Sequence, residues 1–116
     1  MPWYYDPHSG GKKIPPAVQQ RTRERILAHA AKQYAGQYER LDIRFRGAFC
    51  YIDAYKDDSD FPIHLVRLRF NGDEERWTVA FFTYSHEQYE PTFFAGGNDH
   101  GTPEAAFDIG AVYLAD

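Results

Sequence analysis

Leu41, Ile43 and Phe45 alternate with Asp42, Arg44 and Arg46. Successive side chains of a strand point to opposite faces, so this run reads as a half-buried strand with one apolar and one charged face. Eight residues on, a second run alternates over 49–55: Cys50, Ile52 and Ala54 form a small apolar set, and Phe49, Tyr51, Asp53 and Tyr55 the other. Gly47 lies between the two runs. The pattern predicts a hairpin folded back at that glycine, and the rest of the chain is read around it.

If the small set joins Leu41, Ile43 and Phe45 in the core, the aromatic set shares a face with Asp42, Arg44 and Arg46. Arginine beside tyrosine and aspartate is a stable solvated sheet face, with cross-strand pairs contributing roughly 0.2–1 kcal/mol each. It is also the composition of a binding surface. The opposite register buries the aromatics and exposes Cys50.

The flanking segments build an α+β domain. Prolines at 15 and 16 open a helix over 16–35, with Gly36 just past its end. Val18, Thr22, Ile26, Leu27, Ala30, Ala31 and Tyr34 form its inward stripe, which turns Arg21, Arg23, Arg25 and Lys32 outward. A third strand over 63–70 places His64, Val66, Leu68 and Phe70 on one face and Arg67 and Arg69 on the other. Asn71-Gly72-Asp73 signals a hairpin to a fourth strand over 76–84. An edge strand over 89–94 suits Pro91. Thr102-Pro103-Glu104 starts a final helix over 103–114, with Thr as N-cap and an acid in the first turn. Gly110 within that helix suits close packing on the sheet. If the meander runs in order, Arg44, Arg46, Arg67 and Arg69 cluster with Tyr51, Tyr55 and Tyr84.

Residues 1–15 hold four prolines and a Gly-Gly pair with 16 included, and read as an extended arm leading into a single domain over 16–116. Trp3, Tyr4 and Tyr5 are apolar enough to dock on the domain or on a second subunit; His8 reads as polar surface. No apolar run approaches the roughly 18–20 residues that span a bilayer, and no charged-then-apolar leader opens the sequence. One cysteine makes no internal disulfide. The expectation is a cytoplasmic chain with no membrane association.

Net charge is −4 but uneven: residues 1–56 hold ten Lys/Arg and five Asp/Glu, and residues 57–116 three and twelve. This either steers a charged partner to one side or reflects two halves pairing within the fold. The acidic balance counts against a dedicated duplex-DNA binder.

Catalytic and phosphate-loop motifs are missing. Asp57, Asp58 and Asp60 lack the glycine and glutamate of a calcium loop. His86, Glu87 and Glu90, with Asp99 and His100 beyond a loop, are weak metal or hydrolase candidates without fixed spacing. Cys50 and His64 share the apolar face in this reading, as an inert buried thiol and a core histidine.

The segments RLDIRFRGAFCYIDAY, RLRFNGDEERWTVAFFTYS and GTPEAAFDIGAVYL, with the lead-in DPHSGGKKIP, resemble a family of uncharacterised small bacterial proteins. The resemblance covers nearly the whole chain and implies no activity and no functional residues. It implies a shortened loop at KDDSDFP, where relatives carry a longer insertion.

The expectation is therefore an N-terminal helix, a four- to five-stranded mainly antiparallel meander and a C-terminal helix, both helices on the Leu41/Ile43/Phe45 face. The expected function is non-enzymatic binding, without a cofactor, through Arg44, Arg46, Tyr51, Asp53, Tyr55, Arg67 and Arg69. The partner is another protein or a second copy in a homodimer. The alternatives are single-stranded nucleic acid or a phosphate ligand on that face, and a small hydrolase or nuclease built on the His86–His100 region.

Overall fold

The computed structural model describes residues 11–115. Trp3, Tyr4, Tyr5 and His8 lie outside the described residues. Helix α1 (Pro16–Gln33) is followed by β1 (Arg40–Arg46), β2 (Phe49–Tyr55), β3 (Ile63–Arg69), β4 (Thr78–Thr83) and β5 (Gln88–Thr92). A short 3-10 turn (Ala95–Gly97) precedes α2 (Pro103–Gly110), which tightens into a second 3-10 turn (Ala111–Leu114). The strands form one antiparallel sheet in the order β1-β2-β3-β4-β5. The fold is the α+β meander that the alternation predicts.

Pro16 opens α1, where its missing N–H costs nothing, and the Tyr34 N–H closes it on the Ala30 carbonyl. The helix stops at Gln33, two residues short of the expected end. It buries Val18, Thr22, Ile26 and Ala30, a single row at four-residue spacing. The stripe is narrower than expected: Leu27 and Ala31 are exposed and Tyr34 is half-buried. Ile14, just ahead of the helix, is fully buried, and its N–H bonds the Gly47 carbonyl at 3.0 Å. The inner end of the lead-in is thus held against the β1–β2 turn.

The Thr102 side chain caps α2 by accepting from the Ala105 N–H at 3.2 Å, with Pro103 at the first position. Gly110 lets α2 touch the sheet: a Cβ there would lie 2.8 Å from the Leu65 carbonyl carbon and from Val66 Cγ1. Trp77 stands outside β4, contrary to the expected strand start. It is fully buried, bridges Gly101 through its backbone and donates its indole N–H to the Glu74 carbonyl.

Both helices lie on the same side of the sheet. The core joins Ile26 and Ala30 of α1 and Ala106 and Phe107 of α2 to Ile43, Cys50, Ile52, Ala54, Val66, Leu68 and Val79. The outward arginines of α1 are not all solvated. Arg21 bonds both oxygens of Glu74, and Arg25 bonds both of Glu75 and both of Glu104. His29 and Tyr34 meet Asp108 at 2.7 Å each. These contacts pair the basic first half with the acidic second half inside one fold.

One sequence expectation fails at β3. β2 and β3 slip register between Ile52, opposite Val66, and Asp53, opposite His64. Leu65 is the extra residue of this bulge and is fully buried. The bulge moves His64 from the expected apolar face to the opposite one, beside Asp53.

Candidate functional site

The pairing register assembles the face that the helices leave uncovered. Arg44 lies opposite Tyr51, which lies opposite Arg67; Arg46 lies opposite Phe49, which lies opposite Arg69. Asp42 lies opposite Asp53, and Arg40 opposite Tyr55. Arg44, Arg46, Tyr51, Asp53, Tyr55, Arg67 and Arg69 therefore share one sheet face on three adjacent strands. β4 and β5 extend it with Phe82 and Tyr89, which are cross-strand partners.

Asp53 sits at the centre. Two carboxylates directly opposite each other repel, and this pair is bridged. Arg44 Nη1 donates to Asp53 Oδ2 at 2.8 Å and to Asp42 Oδ2 at 2.5 Å. The other Asp53 oxygen lies 2.9 Å from His64 Nδ1. An ionised carboxylate only accepts, so this contact assigns the proton to Nδ1 of His64. The Asp53 side chain is 2% exposed, whereas Arg44 is 48% exposed and His64 33%. A buried carboxylate thus holds a guanidinium and an imidazole at the surface.

Around this centre the aromatic rings interlock. The His64 ring lies 4.7 Å from Phe82, Phe82 lies 5.2 Å from Tyr89, and Tyr89 lies 5.7 Å from Tyr51. Most of these contacts are edge-to-face, which is the favourable arrangement for ring quadrupoles. Arg67 lies over Phe49 at 4.4 Å and over Tyr89 at 5.5 Å. Burial lowers the Arg67 pKa, and a hydrogen bond with Tyr51 works in the opposite direction. Burial, reinforced by the Asp53 charge, pushes the Tyr89 phenol well above the usual tyrosine range. Arg40 stacks on Tyr55 with its guanidinium 3.7 Å from the ring centre.

The face has two zones. Along β1, Arg40, Arg44 and Arg46 are exposed beside half-buried Tyr51 and Tyr55. Deeper in, Asp53, Arg67 and Arg69 are buried. Tyr84 reaches the rim: its hydroxyl accepts the His64 N–H at 2.8 Å, and its ring meets Phe82. Beyond Arg69, a cleft of about 620 Å³ is lined by Thr78, Pro91, Phe93 and His100, among others.

His64, Phe82 and Tyr89 are members that the sequence reading missed. The two-residue spacing that puts Phe82 on the face of Ala80, and Tyr89 on that of Pro91, carried a signal for two of them. His64 carried none, because the bulge reverses its side.

The other candidates do not converge. His86 meets Glu90 at 2.8 Å and His100 meets Asp99 at 2.8 Å, as two separate pairs of exposed or half-exposed groups. Among the described residues, no group of three His, Cys, Asp or Glu side chains could hold a metal. Cys50 is fully buried, and burial pushes its thiol up to about 12. It lies on the core side, across the sheet from His64. No helix among the described residues is long and apolar enough to cross a membrane.

No family model, curated protein or solved structure matches the chain.

Proposed function

We propose that this chain is a non-enzymatic interaction protein whose working surface is the arginine–tyrosine sheet face, and that its partner is another protein presenting carboxylates among apolar side chains. The observation that carries the reading is the buried Asp53 carboxylate holding Arg44 at the surface beside Tyr51. A guanidinium ordered in advance loses less entropy on binding a carboxylate than a free one. The five strands carry tyrosine, phenylalanine and arginine and no lysine, the bias of protein-interface centres. Five arginines against two aspartates on β1–β3 favour an acidic partner.

Single-stranded nucleic acid is favoured less by the geometry. Base stacking needs free ring faces, and Tyr51, Phe82 and Tyr89 are packed against one another. The cytoplasmic setting and the place in the uncharacterised bacterial family belong to the same proposal.

The test is selection from a displayed random-peptide library on the full chain, with Arg46→Ala and Tyr51→Ala proteins as comparators. The expected result is enrichment of acidic, aromatic-containing peptides whose binding falls about tenfold or more on either variant. Enriched peptides indifferent to both variants, or no enrichment, overturn the proposal. Binding of a single-stranded oligonucleotide that collapses with added salt would replace it with the nucleic-acid reading.

A further inference from the structure

β1 is an edge strand. Among the described residues no strand pairs with its outer side. The opposite edge, β5, carries Pro91, which cannot donate to a further strand. Among the described residues β1 has none of the usual protections of an edge except charge. It is seven residues long, has no proline or glycine, and pairs with β2 without a register shift.

Its apolar side is also incompletely covered. Leu41 and Phe45 are only half-buried, although they pack against the core. Arg23 of α1 lies over the Phe45 ring at 5.3 Å. One turn further along the same helix face, Leu27 is 42% exposed.

We propose that two copies of this chain join β1 to β1, antiparallel, about a two-fold axis through Ile43 and normal to the sheet, so that two five-stranded sheets become one. The charge sequence of β1 selects this register. Asp42 of each copy falls opposite Arg44 of the other, giving two opposite-charge pairs. Leu41 falls opposite Phe45, and Ile43 opposite Ile43, so the half-covered apolar side continues from one copy to the next. All seven residues of each strand are paired. Centring the axis on Asp42 sets Asp42 against Asp42 and Arg40 against Arg44. Centring it on Arg44 sets Arg44 against itself and leaves Arg40 without a partner strand. A shift by one residue turns the apolar set of one copy against the charged set of the other.

The chosen register has one weakness, which supplies its signature. Arg40 falls opposite Arg46 at both ends of the seam. These residues are exposed, so their repulsion is screened, but it opposes association. Reversing one charge of that pair should therefore strengthen the dimer, an outcome that a non-specific contact would not produce.

The inference uses the strand edge and does not depend on what the sheet face binds. Its test is sedimentation equilibrium on the full chain, with Arg46→Glu and Asp42→Lys variants and a melting curve to confirm that each is folded. The expected result is a reversible dimer that tightens about tenfold in Arg46→Glu and weakens about tenfold in Asp42→Lys. Amides of β1 should exchange more slowly as protein concentration rises. A monomer up to millimolar concentration, or a dimer indifferent to both charge changes, overturns the inference. Peptide binding at the sheet face is unaffected by either of those results, so the two proposals fail separately.

Discussion

Asp53 Oδ1 and His64 Nδ1 lie 2.9 Å apart where β2 and β3 slip register. Without the slip, the histidine would point into the helix-covered core and the aspartate would keep only Arg44. The bulged Leu65 takes the core position instead. One extra residue thus completes the hydrogen bonding of a buried carboxylate and sets a half-exposed imidazole on the open face.

That carboxylate should be the most sensitive polar group of the sheet. Asp53→Ala leaves Arg44 with Asp42 alone and removes the acceptor of His64. The expected cost is about 2–4 kcal/mol, since breaking a buried charged network leaves groups under-satisfied. Asp53→Asn, which keeps the volume and one acceptor oxygen, should cost less. Urea unfolding at neutral pH measures both. An alanine variant within about 0.5 kcal/mol of the parent would show that Asp53 does not hold the face together.

Gly110 tests the contact between α2 and the sheet. Alanine is favoured over glycine in a helix by up to about 1 kcal/mol. At this position the added methyl would meet the Leu65 backbone and Val66 at 2.8 Å. Overpacking costs about 1–3 kcal/mol, and here the obstacle includes backbone, which cannot rotate away. Gly110→Ala should therefore destabilise, and a thermal melt should show a lower midpoint. A raised midpoint would mean that α2 can lift from β3 at no cost.

Cys50 should be chemically silent. Its thiol is buried and pushed up to about 12, so the reactive thiolate is scarce at neutral pH. A disulfide reagent such as dithionitrobenzoate should leave the native protein unmodified over hours and react at once in denaturant. In stability terms, the folded thiol pKa lies above the unfolded one. The contribution is complete below the unfolded value of about 8.5 and is lost as pH rises towards the folded value. Fast labelling of folded protein at neutral pH would contradict the burial.

The ion pairs of α1 predict an acid sensitivity. Hydrogen bonds from Arg25 hold the Glu104 carboxyl below the usual glutamate range, and Arg21 does the same for Glu74. The folded pKa is depressed, so the unfolded chain takes up protons first. The stabilisation is present above the ordinary value of about 4.3 and is lost as pH falls through the folded value. Glu104→Gln should therefore lose less stability than the parent between about pH 5 and pH 3. Arg25→Ala should cost about 1 kcal/mol at neutral pH. Parallel acid limbs for parent and Glu104→Gln would show that this pair carries none of the pH dependence.

Much of this architecture is legible locally. The alternation at Leu41, Ile43 and Phe45, the Asn71-Gly72-Asp73 turn and the Thr102-Pro103 start each act over a few residues. They predict the elements and the two faces of β1, and leave two registers open for β2, one of which exposes Cys50. Boundaries are less legible. Trp77 continues the alternation of β4 but leaves the strand for a bridge to Gly101, because its indole is buried with Phe70 and bonded to Glu74.

By itself, the sequence determined that β1 sets Leu41, Ile43 and Phe45 on one face and Asp42, Arg44 and Arg46 on the other, since successive strand residues point to opposite sides; it allowed either set of β2 to join the apolar one. Only the tertiary structure decided which of those groups meet. His64-Leu65-Val66 offers no local mark of a bulge, because any of the three residues can occupy a strand. The slip is set by packing Leu65 under α2 and satisfying Asp53 together. The partners of Arg21 and Arg25 lie about fifty to eighty positions away, and pairing over such distances depends on how α1 and α2 settle on the same sheet, which no local pattern encodes.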